Sequence, residues 1–308
     1  MPIFETLAPL ILLIALGAGL ARVAFLGREF MEDLNKLAFW IALPALLFTS
    51  ANHAEKPGGQ TWLLLGVLFV ATLLICGVAR AVAPLLRMPR AVDGTLMQSA
   101  FRGNLAYIGI PVLAYSFGGK APEAMATAVV VMVLTMAFYN ILAVIVLQQP
   151  GHHAGKADGV RVLKSIATNP LMLSGLLGLA MSFFGLTLPG FLDRALVSLG
   201  GAAVPIALLC IGGSLATTPL RGRRSWILTA AVLKVAVLPV LVFVLARLAG
   251  LGPQEQRIAL VLSACPTAAA SFVMAKQMGG DETLASGSIA LSTVLSALSL
   301  ATALWLSM

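Results

Sequence analysis

Two apolar segments of the chain carry polar residues that an ordinary membrane helix lacks. Segment 98–119 has membrane length, and its unusual residues are Arg102, Gly103, Asn104, Gly109 and Pro111. A guanidinium recognises a carboxylate through two parallel hydrogen bonds, and an amide both donates and accepts. Glycine and proline weaken a helix, and unpaired backbone in a bilayer is tolerated only where protein buries it or it lines a wet cavity. We therefore expect this helix to break in mid-membrane, beside a cavity that suits an anion.

A second segment, 263–280, repeats this pattern in a later apolar stretch. Its polar and helix-breaking residues are Cys265, Pro266, Thr267 and Ser271. Paired discontinuous helices of this kind build the substrate sites of many secondary transporters. The half-helices that follow the breaks would present free N–H groups with partial positive charge, which favours a carboxylate. We expect a site where the two interrupted helices meet, with Thr267 and Ser271 supplying hydroxyl groups.

Several of these residues have a structural alternative. Arg102 lies 12 residues beyond Arg90, which is about 18 Å along a helix and near the middle of a roughly 30 Å hydrocarbon layer. It either draws in or binds an anion, or it snorkels to the surface or pairs with a freed carbonyl group. Asn104 is favoured as a direct contact, whereas Asn140 faces the crossing or, as the favoured role, packs between helices. Lys234, in a later span, is expected to snorkel.

The composition of the chain is that of an integral membrane protein. Of its 308 residues 59% are hydrophobic and only 10% are charged, whereas soluble domains have about 25% charged residues. The apolar runs are continuous rather than alternating, a pattern that fits a transmembrane β-barrel poorly. The net charge of +8 resides mainly in short loops beside the spans, where positive residues set orientation. Nucleic-acid binding is therefore not expected.

Chemistry other than transport finds little support in the residues. Neither an HExxH nor a GxSxG motif occurs, and no histidine lies deep in a span. Cys76, Cys210 and Cys265 lie within apolar segments and have neither a disulfide framework nor a metal-binding spacing. We expect no enzymatic activity, no metal and no cofactor.

Apolar length and flanking glycine, proline and charge divide the chain into ten spans, since a spanning helix needs about 20 apolar residues. The predicted spans are 3–25, 37–51, 61–85, 92–117, 122–147, 166–185, 192–217, 226–250, 254–278 and 283–306. The fourth and ninth are the interrupted ones. The polar segment 148–165 is predicted to link the two halves of the chain.

The two halves contain an internal repeat. Four landmarks recur 161 residues later, namely Pro9 with Pro170, Gly17 with Gly178, Pro44 with Pro205, and Gly118–Gly119 with Gly279–Gly280. Several matches at one offset indicate a duplicated unit, here 1–147 and 166–308. Because each unit holds five spans, the second copy must be inverted in the membrane. The alternative is that glycine and proline simply punctuate helices of similar length.

The distribution of lysine and arginine among the loops predicts the orientation. Connections after odd-numbered spans hold 13 of these residues, and those after even-numbered spans hold five. The cytoplasmic side of a membrane protein carries the excess of positive charge. We therefore expect a multi-pass membrane protein with both termini outside and the central loop cytoplasmic.

The chain resembles the auxin efflux carrier family, whose bacterial members are often described as permeases for malonate or other organic acids. The resemblance is carried by NLAYIGIPV in the fourth span, PTAAASFVMAKQMGGDETLASGSIALSTVLS across the ninth and tenth, and ALPALLF in the second. It implies an all-α membrane protein of ten helices in two inverted five-helix repeats, a fold shared with bile-acid sodium symporters. It also implies a scaffold side, a transporter side, and substrate near crossed, broken fourth and ninth helices.

The same resemblance implies roles for individual residues. Asn104 matches the asparagine that contacts substrate, and Pro111 and Pro266 match the crossing prolines. Cys265 stands where the plant carriers often have an asparagine. Family members commonly pair as homodimers, which we expect here, and the family's bacterial members imply a location in the bacterial inner (plasma) membrane. The candidate substrate contacts are thus Arg102, Asn104, Tyr107, Asn140, Cys265, Thr267 and Ser271, the residues at the helix breaks are Gly109, Pro111 and Pro266, and the prolines of the scaffold helices are Pro44 and Pro205.

These observations favour a secondary transporter that moves a small organic anion across the lipid bilayer by alternating access. The crossed-helix unit would move as a rigid body against a panel formed by the first, second, sixth and seventh spans. Alternatives are a sodium- or proton-coupled symporter of the bile-acid type and a membrane ligand sensor without transport. No Asp or Glu lies in the middle of a span, so coupling through charge movement is favoured over a buried carboxylate.

Overall fold

The computed structural model describes residues 3–23, 25, 27–53, 58–118, 121–147, 168–217 and 222–307. The predicted linker 148–165 lies outside these ranges. Within them the chain is helical, with 15 α-helices and no β-strand. The one extended pairing in the described ranges is an isolated antiparallel bridge between Gly103 and Thr267. The predicted all-α class is therefore confirmed.

The helices are α1 Ile3–Arg22, α2 Arg28–Leu37, α3 Leu43–Asn52, α4 Gly59–Val82, α5 Arg90–Phe101, α6 Ile110–Phe117, α7 Pro122–Leu147, α8 Pro170–Phe183, α9 Gly190–Gly201, α10 Ala203–Thr217, α11 Arg224–Val232, α12 Leu238–Leu248, α13 Pro253–Ala264, α14 Ala270–Gln277 and α15 Glu282–Leu306. Three wide π-helical turns, Ala38–Ala42, Leu105–Gly109 and Leu233–Val237, lead into α3, α6 and α12, and a short 3₁₀ turn at Pro84–Leu86 follows α4.

Among the described residues, six helical stretches are long and apolar enough to cross a membrane: Glu29–Asn52, Gly59–Leu86, Pro122–Leu147, Gly190–Ala216, Arg224–Leu248 and Glu282–Leu306. Each coincides with one of the ten predicted spans. Of the other four, 3–25 corresponds to α1, 166–185 contains the shorter α8, and 92–117 and 254–278 are interrupted. The count of ten spans and the inverted repeat stay predictions.

Each π-helical turn ends two residues before a proline, namely Pro44, Pro111 or Pro239. A proline lacks the N–H of the helical ladder, and its ring clashes with the carbonyl group four residues earlier. A wider turn relieves this conflict, so the helix passes the proline without stopping. Pro111 is accordingly the second residue of α6, and Gly109 closes the turn before it with helical backbone angles. The prediction placed the break of the fourth span at Gly109 and Pro111. In the structure the helix continues through both residues, and the break lies further upstream.

The chain forms two compact units, and each draws on both halves of the sequence. The first consists of Met1–Thr61, Ala106–Leu134 and Ile166–Thr218. In it α1 packs along α10, and α3 packs against α8 and α9. The contact is close because a side chain on Gly17 would meet the carbonyl group of Leu209, and one on Gly212 would meet that of Ile14. Small residues allow such backbone approach between membrane helices.

The second unit consists of Trp62–Leu105, Thr135–Ser165 and Pro219–Met308. Helix α15 packs against α5, α11 and α13, and α12 packs against α13. Both interruptions of the chain, after α5 and after α13, lie in this unit. Each unit contains segments from both predicted repeats, 1–147 and 166–308. The repeats themselves remain a prediction from the sequence.

Candidate functional site

The first interruption follows α5, which ends at Phe101. Arg102 leaves the helix with φ −74° and ψ 100°, an extended conformation, and the backbone is helical again from Leu105. Residues 102–104 therefore form the break. Gly103 fits this place because a Cβ atom there would lie 2.8 Å from the Leu105 side chain.

The second interruption follows α13, which ends at Ala264. Cys265 has φ −58° and ψ 143°, the extended conformation that a residue before a proline prefers. Pro266 also has no N–H with which to continue the helical ladder. The helix resumes at Ala270, so residues 265–269 form this break.

The two breaks pair with each other inside the second unit. The N–H of Asn104 donates to the carbonyl oxygen of Pro266 at 2.8 Å, and the N–H of Ala268 donates to that of Arg102 at 2.9 Å. These bonds flank the bridge between Gly103 and Thr267. Backbone groups released from two helices are thus satisfied by one another, which is what a membrane interior requires.

Thr267 connects the second break to two further helices. Its hydroxyl donates to the carbonyl oxygen of Ser99, in the last turn of α5, at 2.8 Å. Its N–H donates to the hydroxyl oxygen of Ser292, on α15, at 3.0 Å. All three residues are buried, so Thr267 holds the end of α5 and the second break in one position.

Arg102 is buried, with 8% of its surface exposed. Its guanidinium donates to the amide oxygen of Asn140, on α7, at 2.5 Å and approaches the sulfur of Met274, on α14, at 2.7 Å. No carboxylate of the described residues lies within ion-pair distance of it. The two structural roles predicted as alternatives to anion binding were snorkelling to the surface and pairing with a freed carbonyl group. Neither is seen.

Lys234 is completely buried, so the expectation that it snorkels is wrong. It lies in the π-helical turn before α12, and its ammonium group donates to the carbonyl oxygen of Ser263 at 2.7 Å. Ser263 is the second-last residue of α13. The sequence signal for this role was a lysine at the ninth position of the predicted span 226–250, but spacing alone does not reveal the distant carbonyl group that accepts from it.

Several polar atoms of the breaks and their neighbours have no hydrogen-bond partner within the described part of the chain. The hydroxyl of Ser271 and both side-chain polar atoms of Gln98 are buried in this state. The side chain of Asn104 is partly exposed. Cys265 is fully buried, and its sulfur lies 3.2 Å from the carbonyl oxygen of Val261 in the preceding turn. Buried polar groups normally find a partner, so Ser271 and Gln98 have hydrogen-bonding capacity that the described residues do not satisfy.

Tyr107, Gly109 and Pro111 belong to the first compact unit. The Tyr107 hydroxyl donates there to the side-chain oxygen of Asn35 at 3.0 Å. Pro44 and Pro205, the predicted scaffold prolines, lie in the same unit. The second unit brings together the other candidates: Arg102, Asn104, Asn140, Cys265, Pro266, Thr267 and Ser271.

The charge balance at the crossing is positive. Arg102 and Lys234 each contribute one elementary charge, while the C-terminal ends of α5 and α13 contribute about half a negative charge each. The N-terminal end of α14 adds partial positive charge. No group of three histidine, cysteine, aspartate or glutamate side chains in the described ranges could hold a metal ion. The arrangement is therefore suited to holding an anion.

Comparison with known proteins identifies the chain at the level of family. Residues 2–305 match the model of the family described as "Membrane transport protein". The chain belongs to this family, which is that of the auxin efflux carriers. The resemblance noted in the sequence is thereby confirmed over nearly the whole chain, and the chain is a multi-pass membrane protein.

Membrane transport proteins of two archaea and a bacterium are similar to it. A protein of Rhizobium meliloti named "Putative malonate transporter" is 28% identical over 289 residues, covering 92% of this chain and 89% of its own length. A transporter of Methanocaldococcus jannaschii described as uncharacterized is 27% identical, over 91% of this chain and 90% of that protein. A second uncharacterized transporter, of Methanothermobacter thermautotrophicus, is 26% identical over 96% of this chain and 95% of that protein. The family and these relatives are transporters rather than enzymes.

Proposed function

We propose that this membrane transport protein is a secondary transporter that moves a small organic anion, such as a carboxylate, by alternating access at the crossing of the two interrupted spans. The observation that carries the proposal is the pair of buried cations, Arg102 and Lys234, at a crossing where the described residues supply no carboxylate. The relative named for malonate supports the same class of substrate.

The cost of those charges is the physical argument. Placing an arginine or a lysine at the centre of a bilayer costs about 2.5–3.5 kcal/mol on insertion scales. Asn140 and the carbonyl group of Ser263 satisfy hydrogen-bond donors of the two cations but carry no full negative charge. A bound carboxylate would neutralise a charge that the protein leaves uncompensated, and Asn104 and Ser271 would add neutral hydrogen bonds.

The finer architecture belongs to the same proposal. Ten helices in two inverted five-helix repeats would place both termini outside and segment 148–165 in the cytoplasm. The crossed-helix unit would move against the panel of the first, second, sixth and seventh spans, and two copies would pair as a homodimer. The uneven loop charge supports the orientation and the 161-residue offset of the landmarks supports the repeat, whereas the moving unit and the homodimer are what the resemblance to the family implies.

The test is uptake of labelled mono- and dicarboxylates, malonate among them, by purified protein in proteoliposomes. Arg102→Gln should weaken anion affinity by about 10- to 150-fold, because a hydrogen bond to a charged group contributes about 1.5–3 kcal/mol. Arg257→Gln is the matched control, since it removes one positive charge from α13 at a site seven residues before that helix ends. Equal uptake by Arg102→Gln and Arg257→Gln would contradict the site. Binding without uptake would instead favour the sensor.

A further inference from the structure

The C-terminal end of a broken helix attracts a cation. Its last carbonyl groups have no partner in the helical ladder and carry partial negative charge. In broken-helix transporters that are coupled to sodium, such ends and the unwound carbonyl groups beside them coordinate the ion. Here the carbonyl oxygen of Ser263, one residue before the end of α13, accepts from the Lys234 ammonium group at 2.7 Å.

We propose that Lys234 is a tethered cation that takes the place of a coupling sodium ion at the end of α13, so that anion binding by this chain needs no sodium. The inference rests on the proposed anion transport and specifies how it is coupled. Lys234 acts as a positioning residue: its charge holds the end of α13, and through it the second break, in the geometry that receives the anion.

The surroundings of Lys234 fit a permanent cation. The residue has no exposed surface, so its ammonium group cannot exchange its carbonyl partner for solvent without a rearrangement. A Cβ atom on Gly103 would lie 3.5 Å from the Lys234 nitrogen and 3.4 Å from the carbonyl oxygen of Leu262. These distances place the backbone of the first break next to the ammonium group, so one charge lies beside both interruptions.

The same surroundings disfavour a free metal cation. No aspartate or glutamate occurs in 94–119, 224–250 or 256–280, the segments that build the crossing. The buried carboxylate of α5, Asp93, lies eight residues before that helix ends and is 3.9 Å from Arg80. An added sodium ion would meet carbonyl and hydroxyl oxygens but also two fixed positive charges, which repel it in a medium of low dielectric constant.

The experiment replaces the tethered cation with a soluble one. Lys234→Ala leaves a cavity for an added n-propylammonium ion, whereas Lys234→Met fills most of the space without a charge. The melting temperature of each purified variant is measured with n-propylammonium, sodium or choline chloride, and uptake of the carboxylate panel is measured in parallel. Lys234→Ala should melt lower than the unmodified protein and bind the anion about tenfold or more weakly, and n-propylammonium should restore both. Lys234→Met should not respond.

Two results would overturn the inference. The first is that the unmodified protein needs sodium, with uptake falling severalfold when choline replaces it. The second is that Lys234→Ala matches the unmodified protein or ignores n-propylammonium. The melting measurement needs no substrate, so a protein that transports none of the acids would refute the proposed function and leave this test standing. If Lys234→Ala does not fold, the test moves to Lys234→Arg, which retains the charge. Lys234→Arg should fold and transport without sodium. A Lys234→Arg protein that fails to do so would also overturn the inference.

Discussion

Replacing Thr267 by valine tests whether the crossing depends on the hydroxyl that links the second break to the end of α5. The Thr267 hydroxyl donates to the carbonyl oxygen of Ser99 at 2.8 Å, and neither residue has exposed surface. Valine has nearly the same shape but cannot donate. The substitution therefore leaves a buried carbonyl group in the last turn of α5 without its donor, while the packing changes little.

The expected loss follows from that unsatisfied group. Leaving a buried acceptor without its hydrogen bond costs about 1–3 kcal/mol, which corresponds to a fall of a few degrees in melting temperature for a chain of this size. Because the bond holds the second break against the end of α5, we also expect anion affinity to fall by a factor on the order of ten. Thr267→Ser keeps the hydroxyl and should lose much less of both.

The assay is thermal unfolding of the purified protein in detergent, with uptake in proteoliposomes as the second readout. Thr302→Val is the control, because the Thr302 hydroxyl donates to the carbonyl oxygen of Leu298 at 2.9 Å within α15, in an exposed position. That carbonyl group keeps its helical bond, so the control should change stability by less than about 0.5 kcal/mol. A Thr267→Val protein that melts and transports like Thr302→Val would refute the reasoning.

Two further substitutions separate charge from packing. Asn140→Asp places a carboxylate beside the Arg102 guanidinium in place of the amide oxygen that now accepts from it. Thermal unfolding should show that the variant still folds, while uptake of the carboxylates should be lost. Undiminished uptake would contradict the role given to the positive charge. Gly212→Val forces a side chain onto the backbone of Ile14, whereas a Cβ atom at Gly19 meets no atom within 4 Å. Gly212→Val should therefore lower the melting temperature by several degrees, and Gly19→Val should not. Equal melting temperatures would contradict the close packing of α1 and α10.

The two breaks were predictable because their causes are local. A continuous membrane helix does not readily accommodate an arginine, a glycine and an asparagine in succession. A proline disfavours helical backbone at the residue before it. Both interruptions were therefore found within a few residues of Arg102 and Pro266. Pro111 misled the prediction because a π-helical turn absorbs a proline without ending the helix, and the residue pattern does not show whether a turn widens.

Lys234 shows why the site itself needed the fold. Its apolar neighbours predicted a side chain that escapes to the surface, yet the carbonyl group that accepts from it belongs to Ser263, 29 residues further along the chain. Arg102 likewise finds Asn140 across 38 residues and Met274 across 172. No periodicity within one span encodes such partners.

Composition and spacing alone established a helical membrane protein of the transporter type, with two interrupted segments and a surplus of positive charge. These properties depend on the length of apolar segments and on residues that a helix cannot accommodate. Both are local features of the sequence. Which carbonyl group each cation satisfies, and which atoms the breaks offer to each other, was decided only when distant segments packed. Hydrogen bonds act over about 3 Å of space whatever the distance along the chain.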